Sequence, residues 1–284
     1  MLLLFILLCI IFIFDNLMTK IKNNSDEIKV LLEQSGFQKS VNGENLYKLE
    51  FKDLMNYRID NILMVCSLYD FYTIVEDGHL QEAIFNEYLE LNLHYAPHIT
   101  RVYSGLTALN ALEEQNFDLI ISTSRLGDME IIEFSKKVKE INQDIPFVLL
   151  TSMSREISLQ FSKDKIENID KIFIWNGDRK IFLAIIKYFE DLKNAPIDCL
   201  KYGVMMILLV EDSPEYYSSF LPQIYIEVMN QTQKLIAERS NTAEKLLRQR
   251  ARPKILHVQT YEEGMNLIKI YKNQLLGIIT DLKF

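Results

Sequence analysis

The sequence predicts an α/β protein of two doubly wound, parallel-sheet units, the second incomplete, and three observations carry that prediction. Short apolar runs alternate with helix-period stretches, the pattern of parallel strands joined by right-handed helical crossovers. The pattern also occurs twice: Ile62-Leu63-Met64-Val65 and the following Asp70-Phe71-Tyr72 fall on Ile207-Leu208-Leu209-Val210 and Glu215-Tyr216-Tyr217, while Ile99 to Thr123 falls without a gap on His257 to Asp281. The third observation is size. With 284 residues, 49% hydrophobic and 25% charged, the chain has material for about two cores and is neither disordered nor fibrous.

In chain order, residues 1–18 form a hydrophobic segment and 19–60 a polar leader without visible chemistry. The run Leu2 to Phe14 spans about 20 Å as a helix, short of the roughly 30 Å hydrocarbon core. No basic residue precedes it and no A-x-A-like cleavage site follows. An upstream extension with Met18 as the true start, a membrane tether and a signal peptide all stay open; under the first two, the rest of the chain is cytoplasmic.

Residues 61–195 make the first unit. Its strands are expected at 62–65, before Tyr103, at 119–121, at 146–150 and at 172–174, with helices between them over 132–141, around 157–161 and over 181–192. A linker is expected at 196–204, Asp-Cys-Leu-Lys-Tyr-Gly within it. Residues 205–284 hold only the first three strands of a second unit, with extra residues within 223–253. A half sheet of this kind is expected to expose an apolar edge.

Composition excludes some functions. Lys and Arg total 31 against 39 Asp and Glu, a net charge of -8, which argues against a general nucleic-acid binder. Cys9, Cys66 and Cys199 are odd in number and lack CxxC spacing, so neither a disulfide framework nor a zinc site is expected, and a reducing cytoplasm fits.

Chemistry concentrates in the second unit. In an open parallel sheet, sites lie at the carboxyl ends of the strands near the switch in strand order. Glu211 and Asp212 end the first strand there and Asp281 ends the third. Three carboxylates in one crevice repel one another unless a hard cation such as Mg²⁺ sits among them. A carboxylate beside that cation can attack a phosphoryl group in line, and Asp281 is the residue placed for attack.

Ile-Leu-Leu-Val-Glu-Asp-Ser-Pro (207–214) together with Gly-Ile-Ile-Thr-Asp-Leu-Lys (277–283) resembles the receiver domain of bacterial response regulators, which are CheY-like with a flavodoxin-like fold. The resemblance implies that Glu211 and Asp212 are the Mg²⁺ pair, that Asp281 is the phospho-acceptor, and that a histidine kinase or other phosphodonor is the partner. In the first unit the same positions hold Cys66, Ser67 and Thr123, and Trp175-Asn176 stands where the family has a lysine. That copy resembles a degenerate, non-phosphorylatable receiver kept for docking or dimerisation. A nucleophilic Cys66 would need a base, and His79 is the nearest histidine in sequence.

The segment Gln231 to Lys254 carries Lys234, Arg239, Lys245, Arg248, Arg250, Arg252 and Lys254, and is expected to be a solvated helix or a docking surface for an acidic partner. The whole arrangement resembles the N-terminal region of bacterial phosphoenolpyruvate synthase or pyruvate phosphate dikinase-like proteins. This implies a downstream catalytic domain as output, since none of that family's ATP-binding or phosphohistidine motifs is in this chain. Whether the protein is an enzyme fragment is open. A phosphorylation-independent dimerisation or docking module, including a homodimer, is the alternative; membrane contact follows only if residues 2–14 are a tether.

Overall fold

The computed structural model describes residues 55–67, 69–70, 80–91, 93, 95–152, 167–237 and 252–281. The hydrophobic segment, most of the leader, the helix expected around 157–161 and the centre of the basic segment lie outside the described residues. Two compact units are present. Among the described residues, one comprises Arg58–Glu190 with Asp212–Gln223, and the other takes in Met55–Tyr57, Asp191–Glu211, Ile224–Ala237 and Arg252–Asp281.

The first unit contains β1 (Asn61–Val65), α1 (Leu80–Glu90), β2 (His98–Val102), α2 (Gly105–Glu114), β3 (Leu119–Thr123), α3 (Ile131–Ile141), β4 (Phe147–Thr151) and β5 (Lys171–Ile174). All the strands are parallel, the doubly wound sheet that the alternation predicted, and their order β2-β1-β3-β4-β5 is the flavodoxin-like one that the receiver resemblance implied. Strands β1, β3 and β4 are almost wholly buried, as a sheet covered on both faces requires. Leu63, Val65, Ile120, Phe147 and Leu149 share one core with Phe134 and Val138 of α3 and Ala108 of α2. Helix α2 starts sharply because its first amides are satisfied: the Asp128 carboxylate accepts from Gly105 N–H and Leu106 N–H at 2.9 Å each, and Ser104 Oγ accepts from Thr107 N–H at 3.2 Å.

Strand β5 is an edge, and this unit blunts it with side chains. Tyr217 O–H donates to Ile172 O, and Ser218 Oγ accepts from Ile174 N–H at 2.9 Å. Around them Phe173 meets the Tyr217 ring edge-on at 5.7 Å, while the buried Lys171 ammonium lies 4.4 Å from the Tyr217 centroid. The repeat pattern in the sequence did not foretell that Asp212–Gln223 belongs with this sheet.

Helix α4 (Lys180–Asp198) is divided between the units at Glu190 and Asp191, and the second unit continues with β6 (Met206–Val210), α5 (Pro214–Ala237), β7 (Lys254–Val258), α6 (Tyr261–Ile270) and β8 (Leu275–Thr280). Helix α5 likewise contributes to the second unit from Ile224 onward. The sheet order is β7-β6-β8, parallel throughout, with the first strand again between the second and third. Residues 196–204 are more than a linker. Pro196 lies inside α4, and Ala195, Cys199 and Val204 are core residues with Met206, Leu208, Leu256 and Tyr271.

The basic segment needs a correction at its end. Arg252 and Lys254 are not solvated but buried, each in an ion pair within the second unit. Arg252 makes a two-pronged ion pair with Asp191 at 2.7 and 2.9 Å, and Lys254 pairs with Asp198 at 2.7 Å, with all four side chains buried. Burial holds the Lys254 ammonium below the usual lysine range, against the pull of Asp191 and Asp198.

The sequence alignment of the two units also shifts. Thr123 and Asp281 do correspond through the pairing of β1 with β3 and β6 with β8. Val102, however, corresponds to Val258 and Ser104 to Thr260, two residues short of the ungapped alignment. A register irregularity beside Met206 and Ile207 contributes to that slack. In the corrected register Ala108 corresponds to Gly264, and both are buried small residues where a helix approaches its sheet closely. A Cβ on Gly264 would stand 3.4 Å from Val210 Cγ2.

Strand β8 differs from its counterpart β3. Leu275, Leu276 and Gly277 are only half-buried and Ile278 is 44% exposed, whereas every residue of β3 is buried. This strand is the apolar edge of the described three-stranded sheet.

Candidate functional site

The carboxyl ends of β6 and β8 lie side by side because the strands pair to their last residues, Val210 opposite Thr280. The next backbone bond, Asp281 N–H to Val210 O at 3.4 Å, carries the pairing to Asp281. On the other side Glu211 N–H donates to Val258 O at 3.0 Å, fixing Glu211 against β7. Glu211 is buried, Asp281 half-buried and Asp212 exposed. Ser213 then turns the chain into α5, where Pro214 takes the first helical position, one that suits a residue with no N–H. Strand pairing thus brings the predicted residues Glu211 and Asp281 to one edge of the sheet, with Asp212 next to Glu211 in the chain.

One neighbour was not singled out from sequence. His257 in β7 is buried, and its Nε2 lies 2.9 Å from Glu211 O. The acceptor is a carbonyl, so the imidazole donates and Nε2 carries the proton. The signal available was a lone histidine interrupting the apolar run Ile255-Leu256-His257-Val258.

Carboxylate oxygens on adjacent strand ends suit Mg²⁺, which commonly takes one or two protein carboxylates and completes its shell with water or phosphate oxygens. Glu211, Asp212 and Asp281 match that chemistry, but among the described residues no group of three or more His, Cys, Asp or Glu side chains is placed to hold a metal. The expected three-carboxylate crevice is therefore not assembled as such. The side chains that fit the cation are the donors expected from sequence, without a preformed three-donor cage.

The first unit repeats the backbone and changes the chemistry. Cys66 N–H donates to Val102 O at 3.1 Å, the counterpart of the Glu211 bond. Cys66 is fully buried, and burial is the main cause that pushes its thiol up to about 12, so the thiolate needed of a nucleophile is scarce near neutrality. Ser67 Oγ accepts from Asp70 N–H at 3.0 Å, the bond of a local turn. Thr123 and Thr151 are buried at the ends of β3 and β4, and Trp175 packs on Phe182 at 5.7 Å where a lysine was sought. No acid stands at the first unit's counterparts of Glu211, Asp212 and Asp281.

The response regulator receiver domain family matches residues 73–165, a stretch that lies in the first unit and identifies a receiver domain there. Among solved structures, the chain is similar to the chemotaxis response regulator CheY4 of Vibrio cholerae, at 19% identity over 45% of this chain and 97% of that one, TM-score 0.35. It is similar to the receiver domain of a Pseudomonas aeruginosa sensor histidine kinase, described with a magnesium ion coordinated in its active-site cleft, at 18% identity over 46% and 97%, TM-score 0.35. A third is the Saccharomyces cerevisiae receiver domain of Ssk1, in complex with the histidine phosphotransfer protein Ypd1, at 16% identity over 49% and 93%, TM-score 0.34. No curated protein matches.

Proposed function

We propose that the chain is the receiving part of a phosphorelay, with two receiver-like units in tandem, Asp281 in the second as phospho-acceptor and the first unable to be phosphorylated. The supporting observation is the Asp281 N–H to Val210 O bond, which sets the acceptor beside the strand end that leads into Glu211 and Asp212. A carboxylate oxygen of Asp281 attacks the donor phosphorus, an O–P bond forms, and the bond from phosphorus to the leaving group breaks with its electron pair. Mg²⁺, held by Glu211, Asp212 and Asp281, would when bound neutralise charge on the phosphoryl oxygens. The donor is a histidine kinase, a phosphotransfer protein or a small acyl phosphate.

The test is intact-mass analysis of the full chain after incubation with acetyl phosphate and Mg²⁺. One added phosphoryl group, absent in Asp281→Asn, is expected. A phosphorylated Asp281→Asn chain, or no uptake at all, overturns the reading.

The output in this proposal is a downstream phosphoenolpyruvate synthase-like or pyruvate phosphate dikinase-like domain, supported only by the resemblance of the arrangement. The encoding gene read past codon 284 tests it. The site of action is the cytoplasm, with a tether only if residues 2–14 insert; fractionation of cells with and without those residues decides this. A second reading has one observation in its favour: the family match falls on the unit that lacks the acids. In that reading the chain docks or dimerises independently of phosphate, and light scattering with and without beryllofluoride separates the two.

A further inference from the structure

We propose that His257 is a positioning residue for the Glu211 end of the acceptor site, an inference that rests on the function proposed above. In a parallel ladder Glu211, whose N–H bonds to Val258 O, would direct its carbonyl to the amide of Thr260. That amide is engaged elsewhere. Thr260 is the N-cap of α6, and its N–H, with that of Gln259, goes to the Glu263 carboxylate at 3.2 Å, while Thr260 Oγ1 accepts from Glu263 N–H. The capping box that starts α6 thus ends the β6–β7 ladder one donor early.

His257 fills the place. It stands opposite Leu209 in register, so strand alternation puts its side chain on the face shared by Leu209 and Glu211. From there Nε2–H reaches the Glu211 carbonyl at 2.9 Å. The peptide that leads from Glu211 into Asp212 is consequently held at both ends of Glu211, by a main-chain acceptor and a side-chain donor from the same strand. At the corresponding position the first unit has Arg101, in the unit that has no acids to orient.

The experiment uses the full chain with Mn²⁺ as a paramagnetic probe, its binding followed by electron spin resonance, together with thermal unfolding. Three variants are compared: His257→Leu, which removes the donor; His257→Gln, whose amide N–H can occupy the Nε2 position; and Asp281→Asn. Loss of a partner bonded directly to a ligating group lowers metal affinity by about 10- to 100-fold; His257 bonds the main chain of Glu211, and His257→Leu is expected to weaken Mn²⁺ binding by less than about tenfold. His257→Gln is expected to restore most of it. If His257→Leu lowers the melting temperature but leaves the Mn²⁺ affinity of the folded protein unchanged, the residue is structural only and the inference falls while the proposed function stands. If the unaltered chain binds no Mn²⁺, or Asp281→Asn binds it equally well, the acceptor-site reading falls and the role of His257 with it.

Discussion

Replacing Arg252 by Met removes one half of a buried, two-pronged ion pair and leaves the Asp191 carboxylate among core residues without its strongest partner. Asp191 Oδ2 also accepts from Ile255 N–H at 2.9 Å, so the acid is tied to the ladder strand as well as to the arginine. Uncompensated buried charge of this kind costs about 3–5 kcal/mol. That corresponds to a fall in protection of the β6–β7 amides of about a hundredfold to several thousandfold, read by hydrogen exchange on peptides covering Met206–Val210 and Lys254–Val258. Adding Asp191→Leu removes the stranded charge and is expected to recover part of the loss. A deficit of about 1–3 kcal/mol remains, because Ile255 N–H has then lost its acceptor. The reasoning is refuted if the single variant costs less than about 1 kcal/mol, or if the double variant exchanges no more slowly than the single.

Cys66 and Cys199 are both buried with thiols pushed up to about 12, chiefly by burial, so iodoacetamide at neutral pH should leave both unmodified in the folded protein and label them after denaturation, as peptide mass mapping will show. Asp128 feels some burial, which raises its pKa, but the N–H bonds from Leu106 and Gly105 together with other local bonds win and hold it below its ordinary 3.8. Its contribution is therefore present above that value and lost as pH falls through the lower folded value; Asp128→Ala should cost about 0.5–1 kcal/mol near neutrality and flatten the acid limb of a denaturation series. Gly264→Leu should destabilise by about 1–3 kcal/mol, since its Cβ alone already touches Val210; a melting temperature equal to the parent's would show that α6 can move away at no cost.

The five-stranded sheet was legible in the sequence because β1, β3, β4 and β5 each hold a short apolar run, whereas β2, His-Ile-Thr-Arg-Val, showed only through its match to the second unit. The places of Glu211 and Asp281 at the carboxyl ends of neighbouring strands were legible because each closely follows an apolar run. Residues whose role depends on distant partners were not. Asp198 sits in what looked like a polar linker, and nothing local reveals that Lys254 neutralises it inside a core. Arg252 and Lys254 were grouped with the other basic residues because net charge along a segment carries no information about burial. Similarly, an ungapped alignment cannot show the two-residue slack between Val258 and Thr280, one residue of which is the register irregularity at Leu276, since such an irregularity changes pairing and leaves the apolar pattern intact. His257 escaped notice because its partner is a main-chain carbonyl, which no side-chain motif encodes.

The two buried ion pairs also bear on how the protein is made. Asp191 lies 61 residues ahead of Arg252 in the chain. At about 5–20 residues per second, a ribosome separates the two by roughly 3–12 s. Throughout that interval the acids at the end of α4 have no cation to follow them out of water, so the last turns of this helix stay hydrated while its first turns can already dock on the β5 side. Closure of the second sheet waits for β7 to emerge, and Arg252 and Lys254 arrive with that strand, so the two acids are neutralised as the sheet forms.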